Sequence, residues 1–428
     1  MVLDDVADPA DLHGLWPPAG PHGRTLVTTR RRDAALAGEG RRLVRVGLFS
    51  EAEALDYLTT SLAAHGRSEP PDQLTALAAE LGHLALALAQ ATAYLIDSGD
   101  SAATCRGLLA NEQAIALADL VPDALPDEQA TTLAAAWSLS IARADTLCPA
   151  GLARPMLHLA ALLDANGIPQ DALTGEAARA HLSTHRTDSS LGTRPGSTAE
   201  PVPVSHLDAV RALRALDRLS LIDHRPETSH QTVRIHQLIQ RTTRDTLTRD
   251  QKSQYARTAA DALLAAWPRI ERDTALAQAL RANTEALTRL AEEALYRPDV
   301  HEVLYRTGRS LGESGQVTAA MDHYPHLATT TRSRLGANHP DTLMSRHELA
   351  HWRGEAGDAA GAAAAFGELL RDRTRVQGPD HPNTLNTRLT VAHWRGRAGD
   401  ADGAAAALGE LVTDMVRVLG LDHPEHPP

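Results

Sequence analysis

Ala350-His351-Trp352-Arg353-Gly354 returns 42 residues later as Ala392-His393-Trp394-Arg395-Gly396. Pro298, Pro340, Pro382 and Pro424 keep the same step, as do Gly315, Gly357 and Gly399, and Ala320, Ala362 and Ala404. Asp341-Thr342-Leu343 is matched by Asn383-Thr384-Leu385. A fixed period of this length predicts a stacked array, because one unit cannot bury its own apolar face and needs a neighbour to do so. The array is expected over 296–428.

Composition supports a mainly α fold. The chain has 428 residues, 43% hydrophobic but only 3% aromatic, with two Phe. Its cores must therefore be built from Ala and Leu, which suits closely packed helices. Asp plus Glu outnumber Lys plus Arg by 54 to 42, a net charge of -12, so the surface as a whole is unsuited to nucleic acid or an anionic membrane. No apolar run approaches the ~20 residues that span a bilayer. Met1-Val2-Leu3-Asp4-Asp5 lacks the basic start and apolar stretch of a signal peptide. Two cysteines, Cys105 and Cys148, are too few for a disulfide framework and are read as structural, in a reduced, cytoplasmic setting.

Toward the start, Val2 to Val6, Gly23 to Arg30 and Val44-Arg45-Val46 read as short strands; the first two end in polar residues, where parallel sheets place ligands. Ser50-Glu51-Ala52-Glu53 is a capping box opening a helix. A single apolar helix is expected from Leu74 to Leu95, with others at Asp127 to Leu147 and Leu152 to Leu163. Ser183 to Val204 is rich in Ser, Thr, Gly and Pro and reads as a flexible insertion. His206 to Leu221 is an amphipathic helix followed by two short strands, Leu221 to His224 and Thr232 to His236, the outline of a winged-helix unit. Helices are expected from Arg249 to about Leu295.

The array resembles the tetratricopeptide repeat (TPR) in its longer, kinesin-light-chain-like form. Leu349, Ala350, Gly357, Ala362 and Phe366 fall on that motif's large, small and turn positions. Val391, Ala392, Ala404 and Leu408 follow in the next unit, and Gly308, Ala320 and Tyr324 in the one before. The first 250 residues resemble the rear portion of an NB-ARC-type STAND nucleotide switch. That resemblance implies 1–48 as the rear part of a P-loop NTPase domain, 49–120 as a helical domain and 121–249 as a winged-helix-like domain with the insertion 183–204. A helical connector, 250–295, would lead to the array. It also implies Asp4 and Asp5 as Walker B carboxylates, Asp4 holding Mg²⁺ and Asp5 polarising water. Thr28, Thr29 and Arg30 match the sensor strand, with Arg30 facing the γ-phosphate. Gly82 to Leu88 match a Gly-x-Pro-like element near adenine, with Leu84 and Ala85 as its nucleotide-contacting residues and Ala85 in place of the proline. Ile235-His236-Gln237 match a Met-His-Asp element whose histidine touches the β-phosphate of ADP. ADP or ATP with Mg²⁺ would be the cofactor of the full-length form, an ATPase in such relatives.

One part is missing from the pattern. The phosphate cradle Gly-x-x-x-x-Gly-Lys-Ser/Thr occurs nowhere, and the single lysine lies in Gln251-Lys252-Ser253-Gln254. The chain is accordingly expected to be a truncated or mis-started copy of a longer protein, inactive and without cofactor as it stands. The function expected is regulatory: an ADP/ATP switch fragment joined to an array that takes a protein or peptide, with self-association as a further partner mode. A plain TPR scaffold with a decayed nucleotide remnant is the alternative. A transcriptional regulator fragment ranks below it, because the middle is acidic and no direct nucleic-acid contact is expected. The arginines at 30–32 and at 41, 42 and 45 lack the interleaved aromatics of a base-stacking surface. His347-Glu348-Leu349-Ala350-His351 fits the zinc-protease pattern. However, Leu389 replaces His347 one repeat later and Gly357 stands where a third histidine would be needed, so no zinc site is expected.

Overall fold

In a computed structural model, the described residues are chiefly 46–110, 133–187 and 202–419, with short pieces at 2–3, 6, 12, 25–29, 36 and 41–44. The chain forms two compact units: Met1–Pro268 with Gln278–Ala291, and Arg269–Ala277 with Glu292–Pro428.

The first unit starts with β1 (Val2–Leu3) and β2 (Leu26–Val27), paired in parallel with Val2 opposite Leu26. The expected third strand is not formed. Val44 and Val46 belong to no strand, and Val46 is 96% exposed; two apolar residues flanking an arginine offer too little to bury. The capping box at Ser50 is made as expected: Glu53 N–H donates to the Ser50 hydroxyl and Ser50 N–H to the Glu53 carboxylate at 2.7 Å. These bonds hold the Glu53 carboxyl below its usual range.

The capped helix α1 (Glu51–Ala63) is followed by α2 (Pro71–Glu80), α3 (Ala85–Ser98) and α4 (Ala102–Ala110). The single helix expected from Leu74 to Leu95 is thus two. Gly82 (φ 62°) and His83 (φ 55°) are both left-handed, a conformation that a continuous right-handed helix excludes. Ala54, Leu58, Leu62, Leu74, Leu77, Leu88 and Leu95 form the core of this segment.

The next group comprises α5 (Leu133–Thr146), α6 (Ala153–Ala160), α7 (Gln170–Thr174), α8 (Glu176–Thr184) and α9 (His206–Arg218). An antiparallel pair, β3 (Asp223–His224) and β4 (Val233–Arg234), precedes α10 (Gln237–Asp245) and α11 (Arg249–Ala266). Ile168 bridges to Val233, tying the loop before α7 to β4. Both ends of the predicted insertion are pinned, since Val204 N–H donates to the Ser183 hydroxyl at 2.9 Å. α11 packs on α6, α7 and α8. α12 (Thr274–Ala291) follows, and its Asn283 accepts from Asp164 N–H and donates to the Gly167 carbonyl.

The second unit is a run of antiparallel helix pairs: α13 (Glu302–Glu313) with α14 (Val317–Leu335), α15 (Pro340–Glu355) with α16 (Ala359–Gln377), and α17 (Pro382–Arg397) with α18 (Ala401–Leu419). Ala320 and Ala362 are fully buried where paired helices approach, and Tyr324 and Phe366 fill the space beside them. The glycine and tryptophan of the repeated pentapeptide work across units. Gly312 lies under the indole of Trp352 and Gly354 under that of Trp394, so a Cβ on either glycine would fall inside the ring. Each tryptophan therefore seats on the glycine one repeat earlier.

Candidate functional site

Two of the motifs singled out in the sequence, 154 residues apart, meet at the start of α10. His236 is the N-cap: its Nδ1 accepts from Leu238 N–H at 3.2 Å, while Nε2 donates to the Gly82 carbonyl at 3.0 Å. With one nitrogen accepting and one donating, the ring is a neutral Nε2–H tautomer. Burial pushes its pKa below the usual histidine range; the bond to Gly82 opposes the shift and His83 adds to it.

α10 is polar yet mostly buried, because its side chains donate to carbonyls at the ends of other helices. Gln237 Nε2 donates to the carbonyls of Ala79 and Glu80, both at 2.8 Å, at the end of α2. Arg241 donates to Leu109 O in α4. Gln240 reaches Ala160 O and Leu163 O, and Arg244 reaches Ala161 O, at the end of α6. Leu238 joins the apolar core of α1 to α4. One short helix thus grips both the 49–110 segment and the body that follows it. Gly82 allows the close approach: a Cβ there would lie 2.5 Å from His236 Nε2 and 3.2 Å from Gln237 Nε2.

Leu84 is the extended N-cap of α3 and Ala85 its first residue. That position suits proline, whose missing N–H has no intrahelical acceptor there and whose predecessor must be extended. Ala85→Pro is expected to leave the fold intact and raise stability by about 0.4–1 kcal/mol, by restricting the unfolded chain. Thermal melting of the purified variant checks this; a loss of more than about 1 kcal/mol contradicts the placement.

At the other predicted site, Thr29 Oγ1 donates to the Val6 carbonyl at 2.7 Å and Thr28 N–H to Leu3 O at 2.9 Å. The ends of β1 and β2 therefore lie side by side. Asp4, Asp5 and Arg30 fall outside the described residues. The chain's own backbone engages both ring nitrogens of His236, and Leu84 and Ala85 carry apolar side chains.

The zinc-protease pattern is spread over packing contacts. His347 sets its ring edge against Phe366, with centroids 4.9 Å apart, and His351 leans on Trp352. Glu348 lies 4.0 Å from Arg309, and burial raises its pKa. Among the described residues no group of three His, Cys, Asp or Glu side chains is placed to hold a metal. Cys105 is buried, which pushes its thiol pKa up to about 12; Cys148 is exposed, and both are free.

The sequence reading missed the grip of Gln237, Gln240, Arg241 and Arg244, whose signal is a polar helix following directly on a buried strand. It also missed histidine as a helix cap: His301, His339 and His381 each accept, through Nδ1, the N–H two residues on. His-Pro-Asp-Thr and His-Pro-Asn-Thr carried that signal for the last two, with proline at the first helical position.

Residues 342–383 match a tetratricopeptide repeat family model, and residues 143–252 match a domain of unknown function, DUF7779. Among solved structures, the chain is similar to the nearly identical TPR-like repeats of a Podosopora anserina protein described as a kinesin light chain. The identity is 16%, over 49% of this chain and 88% of that one, with a TM-score of 0.34; a second structure of that protein gives 16%, 49%, 87% and 0.33. A STAND protein with a tetratricopeptide repeat sensor from Pyrococcus horikoshii is 12% identical over 94% of this chain and 58% of that one, with a TM-score of 0.26. TM-scores this low carry no argument. No curated protein matches the chain. No helix among the described residues is long and apolar enough to cross a membrane. The family match and the 42-residue register make the second unit a helical repeat array of tetratricopeptide type.

Proposed function

We propose that this is a regulatory protein, in which the array takes a protein or peptide partner and the first unit is a switch body of the STAND kind. The bond from His236 Nε2 to the Gly82 carbonyl carries the reading: it joins the two motifs on which the resemblance rests. With Gln237 and Arg241 it forms a latch, holding the 49–110 segment by helix-end carbonyls that an alternative arrangement could leave to water. ADP or ATP with Mg²⁺ is what the resemblance implies for a complete switch, but these 428 residues contain no Gly-x-x-x-x-Gly-Lys-Ser/Thr phosphate loop. Calorimetry with Mg-ADP and Mg-ATP on the 428-residue chain is therefore expected to show no micromolar binding.

Gly82→Ala tests the latch. A side chain in the left-handed region costs about 1–2 kcal/mol, and its Cβ displaces His236 and Gln237 as well. The released chain is expected to show faster hydrogen exchange in α2, α4 and α10 and to self-associate, as light scattering would record. A variant that opens locally yet keeps the wild-type mass leaves the array as a plain scaffold and removes the switch.

A further inference from the structure

The joint between α14 and α15 and the joint between α16 and α17 follow the same 42-residue register, yet their buried polar residues differ. In the first, the hydroxyls of Thr331 and Ser345 meet at 2.9 Å, with the carbonyls of Ala328 and Thr342 also in reach. The Thr342 hydroxyl donates to the Gly336 carbonyl at 2.8 Å, and Leu335 is apolar. One repeat later the same four positions hold Arg373, Thr387, Thr384 and Gln377. Arg373, only 2% exposed, reaches helices on both sides of its own. Its Nη1 donates to the Asn383 carbonyl at 2.9 Å and to the Thr387 hydroxyl at 2.6 Å, and its Nη2 to the Leu343 carbonyl at 3.4 Å. Arg373 Nε, Gln377 Oε1 and Thr384 Oγ1 are buried with no hydrogen-bond partner.

Charge adds to the contrast. Among the described residues no carboxylate pairs with Arg373, since the adjacent Asp372 is engaged by Arg346 and Arg375. Burial, then the nearby Arg346, push the Arg373 pKa down to about 10. A buried cation served by carbonyls and one hydroxyl recovers only part of the hydration it gave up. Unstacking the first joint would expose apolar surface and hydroxyls that already have partners. Unstacking the second also returns a guanidinium, an amide and a hydroxyl to water, and the long arginine stem lets its head reach solvent after a small displacement.

We propose that the array carries a hinge at the joint between α16 and α17, with Arg373 as its pivot. A small opening there exchanges buried carbonyls for water around the guanidinium, so that the α17–α18 pair moves as a body against the helix pairs before it. The hinge belongs to the array alone and does not depend on the switch reading. A partner that fits the opened array would draw on a population already present.

Hydrogen exchange of the full chain, wild type against Arg373→Met, tests the hinge. Methionine has similar length without the charge, and it is the residue at the equivalent position 415. Exchange in the second half of α16 and in α17 is expected to slow by roughly tenfold or more, the order of effect for relieving a buried polar group without partners. Exchange in α13 and α14 should stay as it was. Faster or unchanged exchange at α16 and α17 overturns the proposal, because the guanidinium is then a tie or a bystander. Slowing spread equally from α13 to α18 overturns it as well, since the cost removed is then that of the whole array. Should Arg373→Met not fold, Gln377→Leu decides by the direction of the change at the same helices. It leaves the guanidinium bonds in place and installs the residue found at positions 335 and 419.

Discussion

Trp394→Ala is expected to destabilise the array by about 3–5 kcal/mol, the range for removing a fully buried large aromatic side chain. The indole is 1% exposed and packs with Leu343, Ala350, Phe366, Leu369 and Val391. The Arg397 guanidinium lies over its face at 4.8 Å from the ring centre. The same contact makes Gly354 a paired site. Gly354→Ala alone drives a methyl group into the ring, an overpacking cost of about 1–3 kcal/mol. In the Trp394→Ala background the ring is gone, and the same substitution should instead gain about 1 kcal/mol from helix propensity. The sign of Gly354→Ala therefore reverses between the two backgrounds. Urea unfolding of the four proteins, followed by hydrogen exchange in α15 to α17, measures the coupling; additive effects would mean that the indole does not sit on Gly354.

Acid should destabilise the first unit through a cluster of buried histidines. His158 of α6, His181 of α8, its C-cap His185 and Tyr255 of α11 form one ring cluster, with centroids 4.1 Å apart for His181 and His185 and 4.7 Å for His181 and Tyr255. Burial, then the nearby His185, lowers the pKa of His181 to about 3. Burial, then Arg154, lowers that of His158 to about 4, with Asp145 pulling the other way. Both folded values lie below the unfolded one near 6.5, so unfolding takes up protons as pH falls. Stability is complete above about pH 6.5 and declines toward pH 3–4. At pH 5 each histidine gives up roughly 2 kcal/mol, at about 1.4 kcal/mol per pK unit. Neither ring nitrogen of His181 has a hydrogen-bond partner, so His181→Leu loses none. It should be near-neutral at pH 7.5 and remove its share of the acid sensitivity. An unchanged pH profile for melting would refute the assignment.

The array was legible because its signal is repetition: Pro340 and Pro382, Gly357 and Gly399, Ala362 and Ala404 mark the same turns and close approaches wherever they recur. The capping box at Ser50 was equally local. What escaped was non-local or single-residue geometry. Nothing in the apolar run from Leu74 to Leu95 shows that Gly82 and His83 turn left-handed, because the carbonyl they present is read by His236 from far along the chain. Leu84, Ala85 and His236 were found by their motifs, but the partners that fix His236 were not. Gln240 and Arg241 look like surface polar residues until the helix ends they serve are in place.

The units containing Trp352 and Trp394 each carry both halves of the joint, a tryptophan facing backward and a glycine, Gly354 or Gly396, in the same helix. An interface of this head-to-tail kind does not close on itself. A unit duplicated in frame between two others would find a glycine waiting for its tryptophan and a tryptophan ready for its glycine. The length of the array can thus change by recombination in whole units without redesign of any contact, whereas a partial unit would leave one joint unmatched.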